Sequence, residues 1–286
     1  MVTEFTELQG EMGKEYALLD GEKPEVAQAI FEQYMPRFAG DILPQQEIGR
    51  ALSLADKLDN LAATFLRGLI PTGSQDPFAL RRQTIGAVNI LTDGKIHWDI
   101  RRGIEAALAL LPGDEETEKT VLSQIEDFFR QRIKAIMLDE GIAYDIIDAV
   151  LAGPVDDIYA LFLKARSMAE SQLKGEAELR QAVTRLANIT KGKAGGKVDP
   201  SLFTEDVEKK LQDAFEAVSA KALPLFASYE YGKALPALKE LTAPINDYLD
   251  NVMVMVDDEA VKNNRISQLL ATLALFNTWG DFSKLV

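Results

Sequence analysis

Apolar residues recur at steps of three and four through nearly every periodic stretch of this chain, and that spacing dictates what it can fold into. From Glu47 to Arg67, the residues Ile48, Ala51, Leu52, Ala55, Leu58, Leu61, Ala62, Phe65 and Leu66 make one continuous stripe. Such a stripe is the signature of an amphipathic helix with one buried face. Strand-like alternation is scarce, so the spacing predicts an all-α fold. Gly68 stops this helix, and the loop Pro71-Thr72-Gly73-Ser74-Gln75 leads to Asp76-Pro77. That pair reads as an N-cap acceptor followed by proline at the first helical position, opening a helix from Phe78 to about Leu91. The carboxylates of Gly113-Asp114-Glu115-Glu116-Thr117-Glu118 suit the positive end of a helix dipole, and a helix is expected from there through Ile136. Gly141 precedes a segment from Ile142 to Leu151, and Gly153-Pro154 marks the main boundary. Further helices are predicted at about 155–172, 176–190, 205–228, 232–250 and 258–277, with Asp199-Pro200-Ser201 restarting helix. The loop Lys191-Gly192-Lys193-Ala194-Gly195-Gly196-Lys197 between them reads as the most basic and most flexible point of the chain.

With 286 residues, 47% of them hydrophobic and 27% charged, the chain has ample apolar material to bury a sizeable core. It has no cysteine and a single histidine, which excludes disulfide frameworks, thiolate zinc sites, cysteine nucleophiles and multi-histidine metal clusters. Apolar runs such as Ala106 to Leu111 and Val252 to Val256 fall far short of a membrane span, and the acidic start lacks a basic n-region. The expectation is a soluble, cytoplasmic protein with no membrane partner. Charge is uneven: residues 1–159 hold 15 basic and 28 acidic side chains, residues 160–286 hold 16 and 17. Within a chain of net charge −14, residues 160–197 carry eight basic side chains against three acidic ones. Such an island is either a solvated helix face with a basic loop or the footprint of a phosphate backbone.

Other motifs yield little chemistry. Gly192 to Val198 fails the phosphate-loop pattern, because Lys197 stands where the second glycine is needed and Val198 offers no hydroxyl. Asp56 and Asp59 share one side of a helix, but Lys57 lies beside them and no nearby histidine completes a divalent site. His97, next to Trp98, has no serine or cysteine signature near it and reads as structural. Val252 to Val256 reads as a buried segment, followed by a helix N-terminus stabilised by Asp257, Asp258 and Glu259. The donors of Lys262-Asn263-Asn264-Arg265 face either RNA or water.

Several long phrases resemble the bacterial glycyl-tRNA synthetase beta subunit. They are Glu4-Phe5-Thr6-Glu7-Leu8-Gln9-Gly10 with Met12-Gly13, Pro36-Arg37-Phe38-Ala39-Gly40-Asp41, Leu54-Ala55-Asp56-Lys57-Leu58-Asp59, and Ile70-Pro71-Thr72-Gly73-Ser74-Gln75-Asp76-Pro77-Phe78-Ala79-Leu80-Arg81-Arg82. Val252 to Arg265 and the closing Asp281-Phe282-Ser283-Lys284-Leu285 extend the likeness over essentially the whole chain. The resemblance implies part of a longer subunit, with Met1 not its natural start. It implies three stretches: residues 1–112 as an HD-type helical domain, 113–154 as a helical linker, and 155–286 as a DALR-type anticodon-binding bundle. The histidine–aspartate pair of HD phosphohydrolases reads Leu19-Asp20 here; Asp20 and Asp56 match its carboxylates, but without the histidine no metal site can be assembled. Arg185-Leu186-Ala187-Asn188-Ile189 matches an Arg-Val-x-Asn-Ile-Leu phrase of the bundle, whereas Val183-Thr184-Arg185 departs from the family's Asn-Lys-Arg and lacks one cation.

The function implied is recognition and orientation of glycine tRNA for an ATP-dependent glycine–tRNA ligase. In the family, aminoacylation belongs to a separate alpha subunit in an alpha2beta2 assembly, so no catalytic residue, metal or cofactor is expected here; ATP and magnesium serve the alpha subunit. No class I or class II synthetase active-site motif occurs in the chain. Phosphate contacts are expected from Arg180, Arg185, Lys191 and Lys193, base contacts from Asn188, Asn263 and Asn264, and Arg265 is a further tRNA-binding candidate. Arg81 and Arg82 are candidates for the acceptor arm. DNA is not expected as a partner. The competing readings are a helical scaffold that binds only protein and a metal-dependent phosphohydrolase.

Overall fold

The computed structural model describes residues 4–286. Among them are thirteen α-helices, five short 3-10 turns, and no strand beyond two isolated bridges, Thr72 with Gln75 and Asp99 with Asp157. The fold is all-α, as the apolar spacing predicts. The chain forms two compact units: one runs through Ile136 and takes in Val155–Tyr159, the other comprises Met137–Pro154 and Ala160–Val286. No helix among the described residues is long and apolar enough to cross a membrane.

The first unit contains α1 (Glu11–Leu19), α2 (Pro24–Glu32), α3 (Glu47–Leu66), α4 (Leu80–Asp93), α5 (Ile100–Leu108) and most of α6 (Glu115–Asp139). Helix α3 packs against α2, α4 and α5. Its predicted stripe supplies the core residues Leu54, Leu58, Leu61, Ala62 and Phe65, which are all buried. Their opposite numbers are Ile100, Ile104 and Leu108 of α5 and Leu80, Ala87, Val88 and Leu91 of α4. Buried Glu32 lies at the start of α3, where its carboxylate accepts the Gln46 amide at 3.1 Å and Gln28 Nε2 at 3.1 Å. A Cβ at Gly49 would collide with that carboxylate, so only glycine lets α2 approach so closely.

Details of the first unit differ from the sequence reading. Asp76 does cap α4, accepting the Leu80 and Arg81 amides at 2.8 and 3.0 Å, but the helix starts at Leu80 rather than at Pro77. The intervening residues form a turn that ends with Ala79 in the left-handed region at φ +54°, which separates the proline from the first helical turn. The stretch 113–154 is not a separate piece: α6 buries Val121, Leu122, Ile125, Phe128 and Phe129, and Phe128 meets Phe65 edge-on at 5.2 Å. Residues up to Ile136 therefore belong with the first unit and 137–154 with the second. Residues 155–159 join the first unit beyond the Gly153-Pro154 break, through an Ile100 amide donated to the Asp156 carbonyl at 2.9 Å.

The second unit holds α7 (Tyr144–Val150), α8 (Ile158–Glu170) from Ala160 on, α9 (Ala177–Thr190), α10 (Asp206–Ala227), α11 (Leu235–Lys239), α12 (Thr242–Asn251) and α13 (Glu259–Asn277). Helix α9 packs on α12 and α13, and α10 on α11, α12 and α13. Trp279 closes the core, donating Nε1 to Ser167 Oγ at 3.0 Å and meeting Phe282 edge-on at 5.8 Å. The single helix expected over 232–250 is broken into a 3-10 turn, α11 and α12, because Pro236 and Pro244 lack the amides a continuous helix needs. Only Val252 and Val254 of the supposedly buried run 252–256 are buried; Met253 and Met255 are exposed, since the segment is extended and alternates.

Lys57 is the least ordinary group in the first core. It does not sit with Asp56 and Asp59 at the surface but is buried, donating Nζ to the Met35 carbonyl at 2.8 Å and to Ser53 Oγ at 2.6 Å. Burial pushes its amine down to about 8 from 10.5, against the pull of the Asp56 charge. Between those values the unfolded chain binds more protons than the folded one, so this group makes stability rise with pH. The stability of the wild type relative to Lys57→Met, followed by urea unfolding, is expected to climb by up to about 3 kcal/mol across that window. A flat difference would show that the amine is not held in a desolvated site.

Candidate nucleic-acid interface

The basic island at 160–197 is largely spent on the protein itself. Arg166 pairs with Glu140 at 2.8 Å and Lys174 with Asp145 at 2.9 Å. Arg180 donates to the Leu285 carbonyl at 3.2 Å and the Lys174 carbonyl at 3.0 Å, which ties down the C-terminal turn. Arg185 bridges α9 to α12 through Asn246 Oδ1 at 3.1 Å and Asp250 Oδ1 at 2.5 Å. Exposed ion pairs of this kind hold little energy, and a phosphate could compete for Arg185. Lys191, Lys193 and Lys197 differ: among the described residues, none forms an ion pair with a carboxylate. Lys191 and Lys197 are exposed, as is Asn188 in the last turn of α9.

This loop is anchored rather than loose, which corrects the sequence reading. Ser267 Oγ accepts the Gly196 amide at 2.8 Å, and Gly195 passes so close to α13 that a Cβ would lie 2.9 Å from Leu270 Cδ1. Asn264 completes the anchor, accepting the Asp199 amide at 2.7 Å and donating to its carbonyl at 2.9 Å. With both ends of its amide used and 5% exposure, Asn264 addresses the loop and not an RNA base. Arg265, 4% exposed, is likewise removed from the contact set. Its Nε donates to Glu208 Oε1 at 3.0 Å, one terminal nitrogen to Thr204 Oγ1 at 2.7 Å and the other to the Met253 carbonyl at 2.8 Å. Burial opposes ionisation of Glu208, but Arg265 and the Glu205 and Thr204 amides outweigh it and hold the carboxyl below its ordinary value. Residues 264–269 are all buried, so α13 has no continuous polar face there; Asn263, one residue earlier, is exposed.

In the first unit, Arg81 and Arg82 lie in the first turn of α4. They line a cavity of about 480 Å³ together with Phe38, Asp41, Asp76 and Asn89. Arg37 Nε donates to Asp41 at 2.9 Å and holds that carboxyl below its usual value. Sequence reasoning missed Arg132, whose guanidinium lies 3.8 Å over the Phe128 ring and whose pKa is lowered by burial and then by the charge of Arg81. No spacing rule links residues on α4 and α6, and only tertiary packing reveals this influence. The carboxylates of the HD-like pattern lie on different elements, Asp20 at the end of α1 and Asp56 within α3. Leu19 is 80% exposed, and Asp56 accepts from Gln33 and Asn60, while Asp59 lines a separate apolar cleft of about 730 Å³ beside α5. No group of three or more His, Asp or Glu among the described residues is placed to hold a metal. His97 Nδ1 lies 2.7 Å from Asp157 Oδ2, with its ring against Tyr159.

The family described as Glycyl-tRNA synthetase beta subunit matches residues 1–152, more than half of the chain. The chain belongs to that family. A second match, described as DALR anticodon binding domain, covers residues 179–280 and so includes Arg180, Arg185, Asn188, the lysine loop and α13. Among curated relatives, the glycine–tRNA ligase beta subunit of Clostridioides difficile is 43% identical over 287 residues, covering all of this chain and 42% of the relative. Those of Desulforamulus reducens and Shouchella clausii are each 41% identical, over 290 and 291 residues, again covering all of this chain and 42% of the relative. The chain thus spans well under half the length of these beta subunits. Within this member of the family, the exposed lysine loop and the internal Arg265 network play opposite parts, and stability measurements separate them. Arg265→Ala strands a buried carboxylate and is expected to cost about 3–5 kcal/mol. Lys191→Ala should change stability by less than about 0.5 kcal/mol in the same urea titration. Equal, small effects would mean that Arg265 is not internal.

Proposed function

We propose that this chain is the tRNA-recognising portion of the beta subunit of a heteromeric glycine–tRNA ligase. In this reading the C-terminal bundle binds the anticodon arm of glycine tRNA: Lys191 and Lys193, with Arg185 released from its surface pair, hold phosphates, and Asn188 and Asn263 address exposed bases. Arg81 and Arg82, at the mouth of the cavity in the first unit, take the acceptor arm. Aminoacylation itself occurs on the alpha subunit with ATP and magnesium, in an alpha2beta2 assembly in the cytoplasm. The chain is inert alone, and it contributes binding energy from remote contacts that place the acceptor end for reaction.

The observation that carries this reading is the anchored lysine loop, whose three lysines form no ion pair with a carboxylate among the described residues, although the charge of Lys197 acts on the Asp199 carboxyl. It stands within the stretch that matches an anticodon-binding domain. In a chain of net charge −14, cations left without such pairing on a rigid loop fit a polyanion that touches one face only. The test is a fluorescence titration of the 286-residue chain with glycine tRNA at two salt concentrations. Binding should weaken steeply with salt, and the Lys191→Ala, Lys193→Ala double variant should shallow the log–log slope by about 0.7–0.9 for each lysine removed. Absence of binding at low salt, or a slope indifferent to both lysines, would count against the reading.

A further inference from the structure

We propose that Met253 and Met255 form an apolar platform on which an unstacked base of the bound RNA rests, beside the lysine loop; this deepens the tRNA-binding reading above and rests on it. The segment joining α12 to α13 is extended, so its side chains alternate. Val252 and Val254 point into the core, while Met253 and Met255 are 73% and 50% exposed. Two large apolar side chains at alternate positions on one extended segment make a small surface patch that the core does not explain. The other methionines among the described residues are at least half-buried, and Met35, Met137 and Met168 are fully so.

The platform is presented rigidly. Arg265 holds the Met253 carbonyl at 2.8 Å from its buried site against Glu208. Lys193 Nζ lies 3.6 Å from Met255 Sδ, which brings the cationic loop directly onto the methionine pair. That juxtaposition selects the occupant. A protein helix would need a larger apolar surface, whereas an RNA strand offers both a phosphate for the lysines and a flat, polarisable face for the thioethers. The acidic residues that follow do not disturb this arrangement: Asp258 caps α13 at Ala260 and Val261, and Glu259 pairs with Lys262. With Asp257 exposed beyond Met255, phosphate is disfavoured on that side, so the group that lies on the methionines is a base and the backbone lies over the lysines.

Two readouts on the full chain test the platform. Mild peroxide oxidation followed by peptide mass spectrometry should modify Met253 and Met255 but not Met35, and saturating glycine tRNA should slow both modifications several-fold, more than a tRNA altered only in its anticodon does. The Met253→Ala, Met255→Ala double variant should bind glycine tRNA about tenfold more weakly, equivalent to about 1.4 kcal/mol. Its salt dependence should be unchanged, because no phosphate contact is lost. Met255→Leu, which keeps the apolar area, should restore most of the Met255→Ala loss. If tRNA binds with the expected salt dependence but both methionines oxidise at the same rate in its presence and the double variant binds like wild type, the platform is wrong while tRNA recognition stands. If the wild type binds no tRNA at low salt, both proposals are overturned.

Discussion

The buried pair of Glu208 and Arg265 organises the C-terminal unit. A guanidinium and a carboxylate withdrawn from water are tolerated only when they are well partnered, and here each guanidinium nitrogen and each carboxylate oxygen has a partner. Arg265 reaches Glu208, Thr204 and the Met253 carbonyl, and Glu208 accepts the Thr204 and Glu205 amides besides. One cluster thereby joins α13 to α10, sets the N-terminus of α10, and pins the extended segment after α12. Asn264, the preceding residue, pins the loop after α9. Two adjacent polar side chains of α13 thus hold the two irregular segments that carry the candidate RNA contacts.

The same principle explains why a count of charges overstates the interface. Eight basic residues fall within 160–197, yet three pair with carboxylates, a fourth serves backbone carbonyls and a fifth, Lys164, lies over the Tyr231 ring. Packing a bundle of helices leaves carbonyls at helix ends and carboxylates on neighbouring faces, and long cationic side chains are the natural partners for both. What remains for a polyanion is the short loop whose Gly195 and Gly196 keep its backbone close to α13, while Lys191 and Lys197 are exposed and Lys193 lies against Met255. Rigidity there favours recognition, since little side-chain and backbone freedom is left to lose on binding.

Helix positions were largely legible, because 3.6-residue periodicity survives in the sequence wherever a helix buries one face. The stripe on α3 and the carboxylate caps of α6 and α13 were readable on that ground. Misreadings arose where local signals competed. Pro77 reads as a helix start, but a left-handed residue at Ala79 intervenes. Pro236 and Pro244 break what the apolar pattern alone continues, and the run from Val252 to Val256 is half solvent-facing because an extended chain turns every second residue outward. In the candidate site, Lys191, Lys193 and Asn188 were identified from charge and resemblance, whereas Met253, Met255 and Arg132 carried no such signal. An apolar residue gives no sequence hint that it faces outward, and Arg132 feels the charge of Arg81 only across the packing of separate helices.

By itself the sequence determined the helical class, the excess of acid in the first half, the basic loop, and membership of a family through long, unusual phrases. Each of these depends on residues near one another in the chain. Tertiary structure alone decided which donors face solvent. Asn263, Asn264 and Arg265 are consecutive and equally polar, yet only the first is exposed. Burial depends on what other helices bring alongside α13, and a buried cation is stable only where a distant residue, Glu208, supplies its counter-charge.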